Sequence, residues 1–275
     1  MTRVAVLQMT GGVHPAENAR VLAHAVHETK ARGATILFTP EMSNLLDRDR
    51  ERAAGAITEQ ERDPVIAALR NAAREHGVWV HLGSAAIRRS DGRLANRGFL
   101  IDGEGAIRAT YDKLHLFDVD LPTGERWRES AAYAPGEAAV VADTPAGRLG
   151  LSVCYDLRFP ALYQALSGAG ATVLSVPAAF TRPTGTAHWH VLLRARAIEN
   201  ACFVIAAAHT GEHDDGRATY GRSLVVDPWG EVLLDMGEEP GLGVVELEPV
   251  RVEEARARVP VLAHRRAIPA VTVAP

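Results

Sequence analysis

The chain has 275 residues, with 30 Lys and Arg against 34 Asp and Glu, and a formal net charge of -4. Apolar residues make up 47% and charged residues 23%, ordinary globular usage that excludes a disordered or fibrous chain. The mild acidity argues against nucleic acid or an anionic membrane as partner, since both require clustered positive charge.

Val4–Met9 reads as a short buried strand ended by Thr10-Gly11-Gly12. Ala16–Arg32 has the spacing of an amphipathic helix, stopped by Gly33, and Ala34–Thr39 is a second buried strand ended by Pro40. This is a β-α-β unit, which requires a parallel strand pair. Asp63 caps a helix with Pro64 at its first position, and Gly77 ends it. Val78–Ile87 and Ala95–Ile101 flank the hairpin turn Asp91-Gly92, and Ala106–Lys113 follows. Val140–Asp143, Leu149–Val153, Ala171–Val176 and Cys202–Ala208 are further strands, interleaved with helices at Pro160–Gly168 and about Ala187–Asn200. Strands around Ser223–Val226, Val232–Asp235 and Gly243–Leu247 complete the pattern. Crossovers mixed with hairpins imply mixed sheets covered by helices in one domain over 1–250. The segment 251–275, mixed in Arg and Glu and then rich in Pro and Val, is expected to pack as a tail on the domain or on a partner subunit.

Two cysteines, Cys154 and Cys202, are too few for a disulfide framework and point to a reducing compartment, so the expected location is the cytoplasm. The N-terminal apolar stretch is too short for a secretory signal, and no run of about 18 apolar residues marks a membrane span.

Cys154 ends an apolar strand and is followed by Tyr155-Asp156-Leu157-Arg158 and a helix, a junction that presents a side chain at the carboxyl end of a sheet. A helix N-terminus and Arg158 nearby would favour its thiolate. A buried structural cysteine is the ordinary alternative. Glu41 and Lys113 also follow strands, and Glu129 lies in a loop beside Arg128. Alone, Glu41 reads as a helix first-turn carboxylate after Pro40, Lys113 as a solvated surface lysine and Glu129 as a loop charge paired with Arg128. Together, thiol, carboxylate and ammonium supply the nucleophile, proton acceptor and oxyanion stabiliser that acyl transfer needs. A Cys-His pair is the competing arrangement, but spacing singles out none of His188, His190, His209 and His213. His188 and His190 lie about 200° apart on a helix, a poor metal site, and no phosphate-binding or dinucleotide glycine pattern occurs.

The stretches FTPEMSN, YDKLHLFDVD, RESAAYAPGE and GLSVCYDLRFPALY, with PAAFTRPTGTAHWHVLLRARAIEN and YGRSLVVDPWGEV, resemble the nitrilase superfamily of carbon–nitrogen hydrolases. The likeness is greatest to its Nit branch, which includes deaminated-glutathione amidases and ω-amidases. The resemblance implies a four-layer αββα sandwich that often pairs into homodimers, with no cofactor. It also implies a triad on Glu41, Lys113 and Cys154, with Glu129 as an auxiliary acid. Tyr155, where true nitrilases carry Trp, favours an amide over a nitrile. The expected reaction is hydrolysis of a small carboxylate-bearing amide to acid and ammonia through a thioester. Arg158 is the first candidate to hold the carboxylate, with Arg182 or Arg222 sharing the role and Phe180 and Thr181 lining the pocket; a structural ion pair of Arg158 with Asp156 or Glu199 is the alternative. Glu41 needs a raised pKa for its task, from burial or from Glu129, while Lys113 pulls the other way. His190 and Arg222 depart from the Nit pattern, where Glu and His are usual, and bear on the substrate. An ω-amidase, a non-catalytic binder and transfer of the acyl group to an amine remain open at this level.

Overall fold

A computed structural model describes residues 1–120, 124 and 126–274. The first half runs β1 (Thr2–Gln8), α1 (Pro15–Ala31), β2 (Ile36–Phe38), α2 (Arg50–Ala56), α3 (Pro64–His76), β3 (Trp79–Arg88), β4 (Leu94–Ile101) and β5 (Ile107–Asp112). A small ladder, β6 (Asp118–Asp120) with β7 (Arg126–Arg128), separates it from the second half. That half runs β8 (Val141–Thr144), β9 (Gly147–Gly150), α4 (Pro160–Gly168), β10 (Val173–Ser175), α5 (Arg182–Asn200) and β11 (Phe203–Ala206). The hairpin β12 (Thr210–Glu212) and β13 (Ala218–Tyr220) follows, then β14 (Leu224–Val226), β15 (Val232–Asp235), β16 (Gly241–Leu247) and α6 (Val250–Arg258).

Two six-stranded mixed sheets result, one ordered β16-β1-β2-β3-β4-β5 and the other β15-β14-β11-β10-β9-β8. The period of two along β1 decides the layering. Ala5 and Leu7 pack with Leu22 and Val26 of α1 and Leu69 of α3, while Val4 and Val6 join Leu149, Val173 and Val204 of the second sheet. Trp189 and Leu193 of α5 cover that sheet from outside. The layers are α, β, β, α, as expected. β1 and β2 pair in parallel, confirming the first β-α-β unit.

Local chemistry explains the helix ends. Asp63 Oδ1 accepts from Val65 N and Ile66 N, both at 2.9 Å, and Gly77 takes the left-handed conformation (φ 63°) that ends α3. The short ladders β6–β7 and β12–β13 are absent from the sequence reading, and three further elements differ from it. α2, capped by Asp49, was not anticipated in its polar sequence. α5 begins at Arg182, five residues before the expected start, because Thr184-Gly185 packs under Tyr220. A Cβ at Gly185 would meet that ring at 2.3 Å, so tertiary contact overrides the poor helix propensity of the stretch. The segment after 250 opens as α6, with Val252 and Ala255 buried and Arg256 donating to Ala171 O at 2.8 Å. Farther on, Arg265 donates to Gln164 O at 2.8 Å. Among the described residues no helix is long and apolar enough to cross a membrane.

Candidate active site

Glu41 follows β2 on a loop that crosses β3 at a bulge. The β3–β4 register shifts between Leu82 and Ala85, and a Cβ at Gly83 would sit 2.1 Å from Thr39 O. Only glycine lets the loop lie that close. Ser84 Oγ accepts from Met42 N at 2.8 Å, and His209 Nε2 donates to Glu41 O at 2.7 Å, while Gly11 N donates to its Nδ1 at 3.2 Å. The glutamate's main chain is therefore clamped from both sides.

Cys154 stands on the turn Cys154–Arg158 at φ 49°, a conformation that swings its side chain out of the strand direction. Its own N–H is used by Pro177 O at 2.9 Å, whereas the Tyr155 N–H has no hydrogen-bond partner among the described residues. Asp156, fully buried, ties this turn to the segment bearing Lys113. Its Oδ2 accepts from Val153 N (2.8 Å) and Tyr111 Oη (2.7 Å), and its Oδ1 from His115 N (3.0 Å) and the His115 ring (2.6 Å).

The charged groups meet in one place. Lys113 Nζ lies 2.9 Å from Glu41 Oε1 and 2.8 Å from Glu129 Oε2. Asn96 Nδ2, from β4, donates to Glu41 Oε1 at 2.9 Å and Glu129 Oε1 at 3.0 Å. Ala179 N donates to Glu41 Oε2 at 2.9 Å, and Phe117 N to Glu129 Oε2 at 2.7 Å. These side chains border a cleft of about 680 Å³, which Cys154, Tyr155, Phe180, Thr181, Trp127, Tyr133 and Arg217 also line. Asn96 was missed by sequence reasoning. Its one trace there is an uncharged polar residue, beside Arg97, within a largely apolar strand.

The cationic residues expected to hold a carboxylate are elsewhere. Arg158 lies outside the cleft lining, with its guanidinium 3.3 Å from His188 Nδ1 and over the Phe180 ring. It pairs with neither Asp156 nor Glu199; Arg196 takes Glu199 at 2.7 Å. Arg182 faces Glu212 at 4.0 Å and lines a separate hollow with Tyr220 and Glu238. Arg222 and His190, the two departures from the Nit pattern, meet on one acid: His190 Nε2 is 3.0 Å and Arg222 Nη1 3.4 Å from Asp235 Oδ2. Neither lines the cleft. The linear spacing could not show this, since helix rotation and strand register decide which way an arginine turns.

The carbon–nitrogen hydrolase family model matches residues 3–257. The chain belongs to the carbon–nitrogen hydrolase family. It is 42% identical over 267 residues to the deaminated glutathione amidase of Yersinia enterocolitica, spanning 96% of this chain and 92% of that protein. It is 41% identical over 270 residues to the human protein of that name, with 96% and 82% covered. Among solved structures, Saccharomyces cerevisiae Nit3, a nitrilase-superfamily member, superposes at a TM-score of 0.86 with 26% identity, 97% of each chain covered. An amidase from Nesterenkonia, with acrylamide added at its active-site cysteine, superposes at 0.78 with 29% identity, covering 94% of this chain and 98% of that one.

In this carbon–nitrogen hydrolase the electrostatics differ from expectation. Burial pushes the Glu41 carboxyl up, but the charge and hydrogen bond of Lys113, with contributions from Cys154 and Ala179, hold it below its ordinary range. Burial first, then the Glu41 charge, pushes the Cys154 thiol well up, against the pull of Lys113. The turn is too short to supply a helix-end field, and the Arg158 guanidinium is engaged with His188 and the Phe180 ring. Lys113, despite burial, is held protonated by Glu129 and Glu41. The resting site is thus thiol, carboxylate and ammonium. Cys202, buried and donating to Ala171 O at 3.1 Å, is pushed up to about 11, mainly by burial.

Two buried histidines make stability acid-sensitive. Burial pushes His81 and His209 down to about 3, so both are neutral in the native state. Below an unfolded value of 6.5 the unfolded chain gains protons that the native chain does not, and stability falls as pH drops toward 3. These two groups alone predict a loss of about 2.7 kcal/mol per pH unit between roughly pH 6 and 4, and His213, also lowered by burial, adds in the same direction. Below about 4.5 the lowered Glu41 adds in the same direction. Urea midpoints across this range test the slope, and His209→Gln should lower it by about one group's share, up to about 1.4 kcal/mol per pH unit; a flat profile refutes the assignment.

Proposed function

We propose that this carbon–nitrogen hydrolase cleaves an anionic, peptide-like amide of the deaminated glutathione kind through a thioester on Cys154. The observation that carries this reading is the approach of a thiol, a carboxylate and an ammonium at one cleft, in a chain 40–42% identical to several deaminated glutathione amidases.

Because the thiol is neutral at rest, its proton passes to Glu41 as sulfur attacks the carbonyl, rather than before. The oxyanion forms where Lys113 and the Tyr155 N–H can donate to it. Collapse of the tetrahedral species breaks the C–N bond, and the proton on Glu41 goes to the leaving nitrogen. Water, deprotonated by the same carboxylate, then attacks the thioester and releases the acid and the thiol. Glu129 keeps Lys113 charged and aimed. Amide bonds of a glutathione-type molecule are secondary, so the leaving group is an amine and not the ammonia expected from short amides. The cleft of about 680 Å³ also favours such a longer substrate over succinamate-sized amides.

A competition of deaminated glutathione, α-ketoglutaramate and succinamate at equal concentration tests the reading. Preference for the first is the expected result. Exclusive use of the short monoamides would convert it to an ω-amidase, and no turnover would leave a binding protein. The reading includes a cytoplasmic homodimer: Val191 and Ile198 on the outer face of α5 are 68% and 50% exposed, apolar surface that a second copy would cover.

A further inference from the structure

The cleft holds more positive charge than the chemistry uses. Among the described residues it is lined by six cations, Arg48, Arg50, Lys113, Arg126, Arg128 and Arg217, against three anions, Glu41, Asp47 and Glu129. A chain with a formal charge of -4 thus lines this cleft with more cationic than anionic side chains. Several of these charges are already committed. Lys113 serves Glu41 and Glu129, Arg128 is 2.8 Å from Asp120, and Arg126 is 3.6 Å from the same acid. Asp47 is itself taken by Arg52, at 2.6 Å.

Arg217 is placed differently. Its Nε and Nη2 both lie 2.7 Å from Asp215 Oδ2, and its guanidinium sits over the Trp127 ring, 5.2 Å from the centroid. Asp215 is held in turn by Arg48 N at 2.9 Å, and its side chain is wholly buried. The Arg217 side chain is therefore fixed, only 15% exposed, with Nη1 making no hydrogen bond to any described residue. Trp127 Nε1, on the same wall, is buried and has no partner among the described residues. Tyr133 links this wall to the reacting end. Burial raises its hydroxyl, and the charges of Glu129, Arg217, Glu41 and Lys113 all act on it. A braced guanidinium on the cleft wall, with its Nη1 uncommitted among the described residues, suits a carboxylate.

We propose that Arg217, backed by Trp127 and rimmed by Arg48 and Arg50, is the anion subsite of the cleft and binds a carboxylate carried by the substrate away from the scissile carbonyl. This rests on the amidase reading above and deepens it, giving Arg217 the role first expected of Arg158 and Arg182.

The test compares kcat/KM for deaminated glutathione with that for two analogues, each having one of its two carboxylates converted to a neutral N-methylamide, and follows cleavage of the same bond. The wild type should disfavour at least one analogue by about 10- to 100-fold, chiefly through KM. Arg217→Gln should collapse that preference to within about threefold, and Arg217→Lys, which keeps the charge but not the fork, should fall between. A wild type that treats all three alike overturns the subsite without any variant having to fold. So does an Arg217→Gln enzyme that keeps the full preference. A wild type that cleaves none of the three overturns the amidase reading, and the subsite with it.

Discussion

Cys154→Ala is expected to abolish amide hydrolysis, lowering kcat by about 10⁴-fold or more, because no other group at the cleft can form the thioester. The fold should survive. Alanine has the same Cβ as cysteine, so the left-handed backbone at φ 49° carries no new strain. Loss of the buried sulfur should cost about 1 kcal/mol. Cys154→Ser should be inactive as well, since a hydroxyl is far harder for the lowered Glu41 carboxylate to deprotonate than a thiol. Mass spectrometry of the wild type with a slow amide should show the acyl adduct on the Cys154 peptide, absent from both variants. Retained hydrolysis by Cys154→Ala at unchanged melting temperature would remove the thiol mechanism.

Lys113→Met should damage rate and, more than any other single change at the site, stability. It leaves Glu41 and Glu129 facing each other with only the Asn96 amide between them. Breaking a buried ionic cluster from one side costs about 3–5 kcal/mol at neutral pH. The sign of the pH dependence provides a further check. Without the ammonium, the carboxylates rise above their unfolded values in the native state, so the variant loses stability as pH rises through that range. Its deficit against the wild type should therefore shrink on acidification. The rate should drop by about 10²- to 10³-fold for the lost oxyanion donor alone. Glu41→Gln offers the contrast, because it preserves the pair between Lys113 and Glu129. A glutamine with its carbonyl oxygen toward Lys113 turns its NH₂ on the Ala179 N–H, donor against donor, at about 1–3 kcal/mol. Its rate should fall by about 10²- to 10⁴-fold for want of a proton acceptor. Differential scanning calorimetry and steady-state kinetics on the two variants separate the effects; a Lys113→Met protein as stable and active as the wild type would refute the ionic cluster.

The arrangement also revises how the nucleophile works. Proximity to Arg158 and a helix end suggested a standing thiolate. The turn instead buries a neutral thiol beside an ionised carboxylate, which ties proton loss to attack on a bound substrate. A thiol kept neutral in this way is also less open to oxidation while the site is empty.

Several features were legible in the amino-acid order because they are local. Asp63-Pro64 and Gly77 mark the ends of α3 through capping and a positive φ, and the short apolar run at Val4–Met9 marks a strand covered on both faces. Strand ends are local too, so Glu41, Lys113 and Cys154 were each recognisable as residues delivered to a sheet edge. Family motifs then made them a set. What the order of residues could not determine is where long side chains turn once the sheets stack. Arg217 and Asn96 line the cleft, whereas Arg158, Arg182 and Arg222 do not: the β12–β13 hairpin carries its loop toward Trp127, while Arg158 sits on His188 and Phe180 and Arg222 turns to Asp235. The balance of burial against charge at Glu41 and Cys154 is likewise tertiary. It depends on distances of about 3 Å between residues far apart in sequence, and small changes in those distances decide its sign.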